Sequence, residues 1–454
     1  MRERPEEGRV RRVPGTMCPP RKSEAELSSE TISPAQGPLD GTIRLPGDKS
    51  ISHRHAMLAA IAEGTSVIRN YSSGADCHST LACLRSLGLE ITEDGRDVTV
   101  RGRGLRGLQP YAGQLDAGNS GSTIRMLSGI LAGHPFVSRM GGDESLSKRP
   151  MQRIMAPLTQ MGATLTARDG KFPPIEIHGG GLHPIDYQMP VASAQVKSCV
   201  LLAGLFAPGE TTVREPARTR DHTEVALREF GVEVGAGRGW ASVKGPATLQ
   251  GRELTVPGDL SSAAFFLVAA AIVPGSNVIV RGVGLNPTRA TLIDFLVAAG
   301  ADVRILEMGM HNGEPAGDLL VRGTQLKGGV IEKQWAAALI DEIPVLAILG
   351  AVSAEGLTVR DAAELRIKET DRIETLATNL RRMGVKIEPT PDGFHLPGGQ
   401  SFKAAELDSF GDHRIAMAFA VAALRADGPC VIQNAAAASV SFPEFWQSLR
   451  GLCG

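Results

Sequence analysis

The sequence is poor in aromatic residues. Phe, Trp and Tyr make up 4% of 454 residues, with three Trp and three Tyr among them. Stacking platforms for the bases of RNA are therefore not expected. Charge of one sign is equally scarce. Lys and Arg number 48 against 49 Asp and Glu, so the formal net charge of −1 gives no global field to draw in nucleic acid or membrane. Long apolar runs are missing too: AAFFLVAAAIV at 263–273 is too short to span a bilayer. The six cysteines (Cys18, Cys77, Cys83, Cys199, Cys430 and Cys453) form no C-x-x-C pair and have no His partner at zinc spacing. Free thiols in a reducing, cytoplasmic setting are the expectation, with no metal site. Residues 1–37 hold no apolar period and are rich in Arg, Glu, Pro and Ser, which predicts a disordered N-terminal extension. They lack the apolar stretch of a secretory signal, and their glutamates argue against a transit peptide. Met17 offers an alternative start.

Glycine is abundant, at 53 residues, and its placement is periodic. At Gly64, Gly133, Gly209, Gly275, Gly356 and Gly428 an apolar, helix-like segment passes into a β-like run, at spacings of 69, 76, 66, 81 and 72 residues. A recurring period means one supersecondary unit used several times. The clearest internal match pairs residues 45–91 with 256–303; both begin Pro-Gly-Asp and read helix, glycine, strand, loop, helix, strand. The offset is three periods, which predicts two three-unit domains at about 48–256 and 257–454. Residues 38–47 are expected to cross over to the second, leaving a cleft between the domains as the ligand site.

The helix fronts carry the chemistry. They read GDKSISHR, GNSGSTIR, SAQVKS, GDLSS, DEIPVLA and GDHRIAMA. Helix N-termini offer unpaired N–H groups and the positive end of the macrodipole, so they suit anions. In the first, Asp48 or Ser50 caps the helix, Lys49 supplies a mobile charge, and Arg54 shares a face with Ser50. Asn119 and Gly121 open the second, where a missing Cβ lets backbone amides approach a ligand. Arg149 precedes Pro150 and is expected to be extended and to project into the cleft. Ser193, Ala194 and Gln195 open SAQVKS, Arg220 lies in the loop TRDHTE, and His222 there reads as structural. Asp341, ahead of Pro344, reads as a cap or as an acceptor of a hydroxyl proton. In ELRIKETDRI, Lys368 and Arg372 are i,i+4 and are expected on one helix face, beside Glu369. Arg414 stands in the first turn of a strongly apolar helix. Taken singly, each motif also reads as a capped or solvated surface helix. Together, Lys49, Arg54, Arg149, Arg220, Lys368, Arg372 and Arg414 occupy corresponding places in a repeated fold, which favours a shared anion cleft.

GDKSISHR, GNSGSTIR, DESLSKRPM, SAQVKS, RDHTE, DEIPVLA, ELRIKETDR and GDHRIAMA, in this order over roughly 38–450, resemble the 5-enolpyruvylshikimate-3-phosphate synthase family. The resemblance implies an α/β fold, a two-domain inside-out barrel of six βαβαββ repeats. It implies transfer of the enolpyruvyl group of phosphoenolpyruvate to the 5-hydroxyl of shikimate 3-phosphate, with no cofactor, metal, nucleic acid or membrane partner, in a monomer. Carried over by motif, Lys49, Ser50, Arg54, Ser193, Ala194, Gln195, Arg220, Asp341 and Lys368 would bind shikimate 3-phosphate. Lys49, Asn119, Gly121, Arg149, Gln195, Arg372 and Arg414 would bind phosphoenolpyruvate. Asp341, Glu369 and Lys49 would move protons. The two substrates together carry a charge of roughly −5 to −6, which seven cations and several helix ends can match. Crowded like charges predict an open cleft that closes when shikimate 3-phosphate binds. The sequence departs from the pattern at Val440, where many members have lysine. Gly121 is the small residue that goes with ordinary glyphosate binding. The related UDP-N-acetylglucosamine enolpyruvyl transferases carry a reactive cysteine in the stretch that here reads RMGGDESLSKRP and has none.

Overall fold

Six small sheets hold the described strands of the protein, whose computed structural model describes residues 29–453. Five have four strands and repeat one pattern: a parallel pair, then two antiparallel pairings. In the unit at 114–178, strand Gln114–Asp116 leads through helix Gly121–Ala132 to its parallel neighbour Val137–Gly141. Helix Gln152–Gln160 then leads to the antiparallel strands Thr164–Arg168 and Phe172–His178. Parallel neighbours need such a crossover, and this one is helical.

The sixth sheet differs. Its parallel pair, Glu406–Asp408 and Cys430–Gln433, is joined by Glu30–Ile32, antiparallel to Cys430–Gln433. This corrects the expected disorder through residue 37. Three residues pair by backbone bonds to the open edge of a distant strand, which requires no apolar period of their own. The rest of that expectation, at 1–28, and the Met17 start lie outside the described residues.

Buried side chains fall into two cores. One is drawn from residues 51–256, the other from 32–45 together with 260–452. Each surrounds three helices: Lys49–Ile61, Gly121–Ala132 and Ala194–Gly204 in the first, and Leu260–Ile272, Ile343–Val352 and His413–Ala423 in the second. Every residue of Leu260–Ile272 is buried. A helix apolar on all sides belongs inside, so the sheets, with one face to solvent, take the outside. That is the inside-out α/β barrel.

The chain crosses between the halves twice. Strand Asp40–Arg44 lies parallel to Asn277–Gly284 of the second half, and Glu253–Thr255 lies parallel to Thr65–Arg69 of the first. The crossing stretches are the two matched Pro-Gly-Asp motifs, and they bond to one another. Asp48 N–H donates to Pro257 O (2.8 Å), and Asp259 N–H donates to Pro46 O (3.1 Å). A Cβ on Gly47 would lie 1.9 Å from Asn70 O, so only glycine fits that close passage.

Candidate active site

Capping builds the helix fronts locally. Asp48, Ser120, Ser193, Asp259 and Asp412 each accept a hydrogen bond from an amide in the first turn of the helix that follows. Helix Ile343–Val352 is the exception, because neither Asp341 nor Glu342 caps it. Both side chains turn elsewhere, and Asp341 becomes the centre of the site.

Four cations surround the Asp341 carboxylate. Arg220, from the first half, donates Nη2 to Oδ2 at 2.8 Å. Lys368 Nζ lies 3.7 Å and Arg372 Nη1 3.6 Å from Oδ1, while Arg414 Nη2 lies 3.9 Å from Oδ2. Arg414 Nη1 also donates to the Asp341 carbonyl at 2.8 Å. Burial would raise the Asp341 pKa, but Arg414, Lys368, Arg220 and Arg372 hold it well below the usual carboxylate range.

Glu369 forms a second centre. Its Oε2 accepts from Arg372 Nη2 at 2.6 Å, and its Oε1 lies 3.5 Å from Arg149 Nη1 across the cleft. Burial is again outweighed by Arg372, Arg149, His413 and Lys49, leaving Glu369 well below its ordinary pKa. Arg372, 1% exposed, donates Nε to Asp412 Oδ2 at 2.8 Å and so bridges both acids to the cap of the last core helix. ELRIKETDRI is not one helix, contrary to expectation. A 3₁₀ turn Ala363–Ile367 ends before Lys368, and helix Arg372–Arg382 starts after Asp371, which caps it. Lys368 and Arg372 meet at Asp341 through this break rather than along a helix face.

The first half supplies the opposite wall. Arg149 is extended before Pro150 (φ −88°, ψ 128°) and donates to Asn119 Oδ1 (2.8 Å), Asn119 O (3.2 Å) and Ser145 Oγ (3.0 Å). Lys49 Nζ pairs with Asp76 Oδ2 at 2.9 Å. Burial is the largest influence and opposes its charge, but Asp76 and Glu369 together outweigh burial and Arg414, so its pKa rises. Buried Arg54 donates to Thr223 Oγ1 (2.7 Å), Ser198 Oγ (2.7 Å) and Ser50 O (2.8 Å). Desolvation brings it down to about 10. Ser193 and Ala194 head helix Ala194–Gly204 beside Gln195, whose Nε2 donates to Ser122 Oγ at 3.0 Å. His222 is structural, bonded through Nδ1 to buried Glu314 at 2.7 Å.

Several participants went unread in the sequence. Arg125 donates to Gln195 Oε1 at 2.7 Å, and a Cβ on Gly121 would lie 2.8 Å from its Nη1. Its place one turn into GNSGSTIR, on the face of Gly121, was the available signal. Asp76 and Arg289 are long-range partners with no local signature, whereas Asp143 and Asp412 lie inside DESLSKRPM and GDHRIAMA, and only their partners Asn119 and Arg372 are distant. The cation repulsion behind the expected open cleft is offset within the chain itself. The chain's own carboxylates lie among the cations, and Arg220–Asp341, Arg149–Glu369 and Arg153–Glu364 (2.9 Å) tie the halves together. Among the described residues no cluster of three His, Cys, Asp or Glu is placed to hold a metal ion, and the five described cysteines are unpaired. No described helix is long and apolar enough to cross a membrane.

Two three-unit halves, helices inside, with acids embedded among cations at their junction, define an enzyme-like cleft for small, multiply charged anions. The sequence profile of EPSP synthase (3-phosphoshikimate 1-carboxyvinyltransferase) matches residues 34–449, and the chain belongs to that family. It is 65% identical over 419 residues to the 3-phosphoshikimate 1-carboxyvinyltransferase of Solibacter usitatus, covering 92% of this chain and 98% of that protein. The Bacillus licheniformis protein of the same name is 51% identical, covering 91% and 97%. Two solved structures of EPSP synthase from Acinetobacter baumannii superpose with TM-scores of 0.84 and 0.83 at 42% identity, each covering 93% of this chain and 98% of theirs.

Proposed function

We infer that this chain transfers the enolpyruvyl group of phosphoenolpyruvate to the 5-hydroxyl of shikimate 3-phosphate, releasing inorganic phosphate. The observation that carries the residue assignment is Asp341, a half-buried carboxylate ringed by four cations drawn from both halves. Lys49, Ser50, Arg54, Ser193, Ala194, Gln195, Arg220 and Lys368 bind shikimate 3-phosphate. Asn119, Gly121, Arg149, Arg372 and Arg414, with Lys49 and Gln195, bind phosphoenolpyruvate. Asp341 takes the 5-hydroxyl proton as the oxygen attacks C2 of phosphoenolpyruvate, while the methylene is protonated by Lys49, or by Glu369 once ligand anions engage its arginines and let it take up a proton. The tetrahedral ketal then expels phosphate as a methyl proton leaves, restoring the enol ether.

The ion pairs explain why catalysis waits for both ligands. With Arg220, Lys368, Arg372 and Arg414 all facing it, Asp341 is ionised but a weak base. Substrate phosphate and carboxylate groups engage those cations, reduce their pull and raise its basicity. The enzyme acts as a monomer in the cytoplasm.

Phosphate release from phosphoenolpyruvate, with shikimate 3-phosphate as acceptor, tests the reading beside an Asp341→Ala control. Turnover by the parent and its collapse in the control are expected. Turnover with UDP-N-acetylglucosamine instead would move the assignment to the related transferases.

A further inference from the structure

Arg289 plays no part in the chemistry above, yet it is 6% exposed at the point where the chain crosses between the halves. Its Nη1 donates to Asp48 Oδ2 at 3.2 Å, and its Nη2 donates to Ser261 Oγ at 2.6 Å. The same Nη2 lies 3.6 Å from Asp259 Oδ1 and 3.8 Å from Glu342 Oε1, which also accepts from Ser261 Oγ. One guanidinium therefore faces the caps of both matched Pro-Gly-Asp helices and the residue next to Asp341. Three residues earlier, Asn286 Nδ2 donates to Asp221 Oδ1 and to Glu314 Oε2, both at 2.8 Å. A single loop of the second half thus grips the first half at two places. One adjoins Lys49, the other adjoins Arg220.

We propose that Arg289 is a positioning residue: by fixing Asp48 and Glu342 at the crossing point, it sets Lys49 of one half and Asp341 of the other at their working separation. This rests on the reaction inferred above. Burying a cation only to glue two halves together is a poor device, because well-packed apolar residues often do as well. A planar fork that meets partners on three separate elements instead fixes direction, which lysine cannot reproduce. The adjacency is direct, since Asp48 precedes Lys49 and Glu342 follows Asp341. The charges around the fork agree. Asp48 faces Arg289, His222 and Arg220 and, although burial would raise it, is held at about 2. Asp259 faces Asp48, Arg289 and Arg414 and is raised by burial and by Asp48. Without Arg289 two buried aspartates confront each other, and the pair retains a proton at higher pH.

The test compares Arg289→Met, Arg289→Lys and the double substitution Arg289→Met with Asp48→Asn, since asparagine also caps a helix. Arg289→Met is expected to lower kcat by about tenfold to a hundredfold, with smaller changes in either KM, as misplacement remote from the chemistry does. The acidic limb of its kcat profile should move to higher pH. Arg289→Lys should recover part of kcat, and adding Asp48→Asn should move the acidic limb back. Hydrogen exchange should speed up at amides 48–52 and 259–263 and stay unchanged in the outer sheets. Parental kcat and parental acidic limb in Arg289→Met would overturn the proposal, as would a loss matching only the fall in folded fraction. If Arg289→Met does not fold, Arg289→Lys carries the same comparisons. Should the parent itself lack turnover, the reaction reading fails, and exchange at the two caps still decides the clasp: unchanged exchange removes it.

Discussion

Arg220 and Asp341, carried by opposite halves of the chain, are joined by a 2.8 Å charge-assisted hydrogen bond. The same guanidinium that meets ligand phosphate in the proposed reaction thus pairs across the cleft with the residue proposed to take a proton. The proposed reaction makes binding an exchange of partners, in which an incoming anion replaces a carboxylate the chain already supplies.

Arg220→Met removes both the latch and the proposed phosphate contact. A hydrogen bond between charged groups contributes about 1.5–3 kcal/mol, so the KM for shikimate 3-phosphate should rise roughly tenfold to a hundredfold. Calorimetric titration of that ligand would show the same loss. Unchanged affinity would remove Arg220 from the phosphate site.

Gly74 meets the far half without a Cβ. One placed there would stand 2.8 Å from Val440 O and 2.9 Å from Ser441 Cα and O. Its φ of −67° suits any residue, so Gly74→Ala acts by contact alone. Backbone on the far side cannot swing away as a side chain could, and the halves are held apart. Catalysis should fall more than stability, with kcat for phosphate release down about tenfold and Tm lowered only slightly. Equal losses in both would show a folding defect instead.

Gly121→Ala places its methyl 2.8 Å from Arg125 Nη1 and 3.6 Å from Arg149 Nη1. These are ends of long side chains, so the fold adapts and the arginines shift. The KM for phosphoenolpyruvate should rise about tenfold, as expected of roughly 1–2 kcal/mol of overpacking, while Tm stays nearly constant. Inhibition by glyphosate should weaken in parallel. A parental KM would place the phosphoenolpyruvate site elsewhere.

Two buried histidines make stability depend on acid. Desolvation pushes His55 down to about 4 and His413 down to about 3. Both values lie below the ordinary 6.5, so as pH falls below 6.5 the unfolded chain takes protons that the folded chain refuses. Stability is therefore complete above 6.5 and declines until pH reaches about 4 for His55 and about 3 for His413. Each can cost at most about 1.4 kcal/mol per pH unit in that window. His55→Gln should flatten the dependence of Tm on pH between 6.5 and 4. An unchanged slope would mean that His55 is protonated in the folded state.

Features that depend on neighbours a few residues away are legible in the chain before it folds. Asp48, Ser120, Ser193, Asp259 and Asp412 cap their helices because the amide each satisfies lies two or three positions on. Arg149 is extended because Pro150 follows it, and the Pro-Gly-Asp repeats mark matching places because each begins a matching helix. The pairings arise only on folding. Lys368 and Arg372 converge on Asp341 across a break in secondary structure, and Glu30–Ile32 finds a strand some 400 residues away. Gln195 takes its orientation from Arg125, and Arg289 takes its role from two crossings that meet only when both halves fold. Caps and turns are settled by local hydrogen bonding, which a short window of sequence contains. Which carboxylate balances which cation depends on distance and burial, and those exist only after the chain has closed on itself.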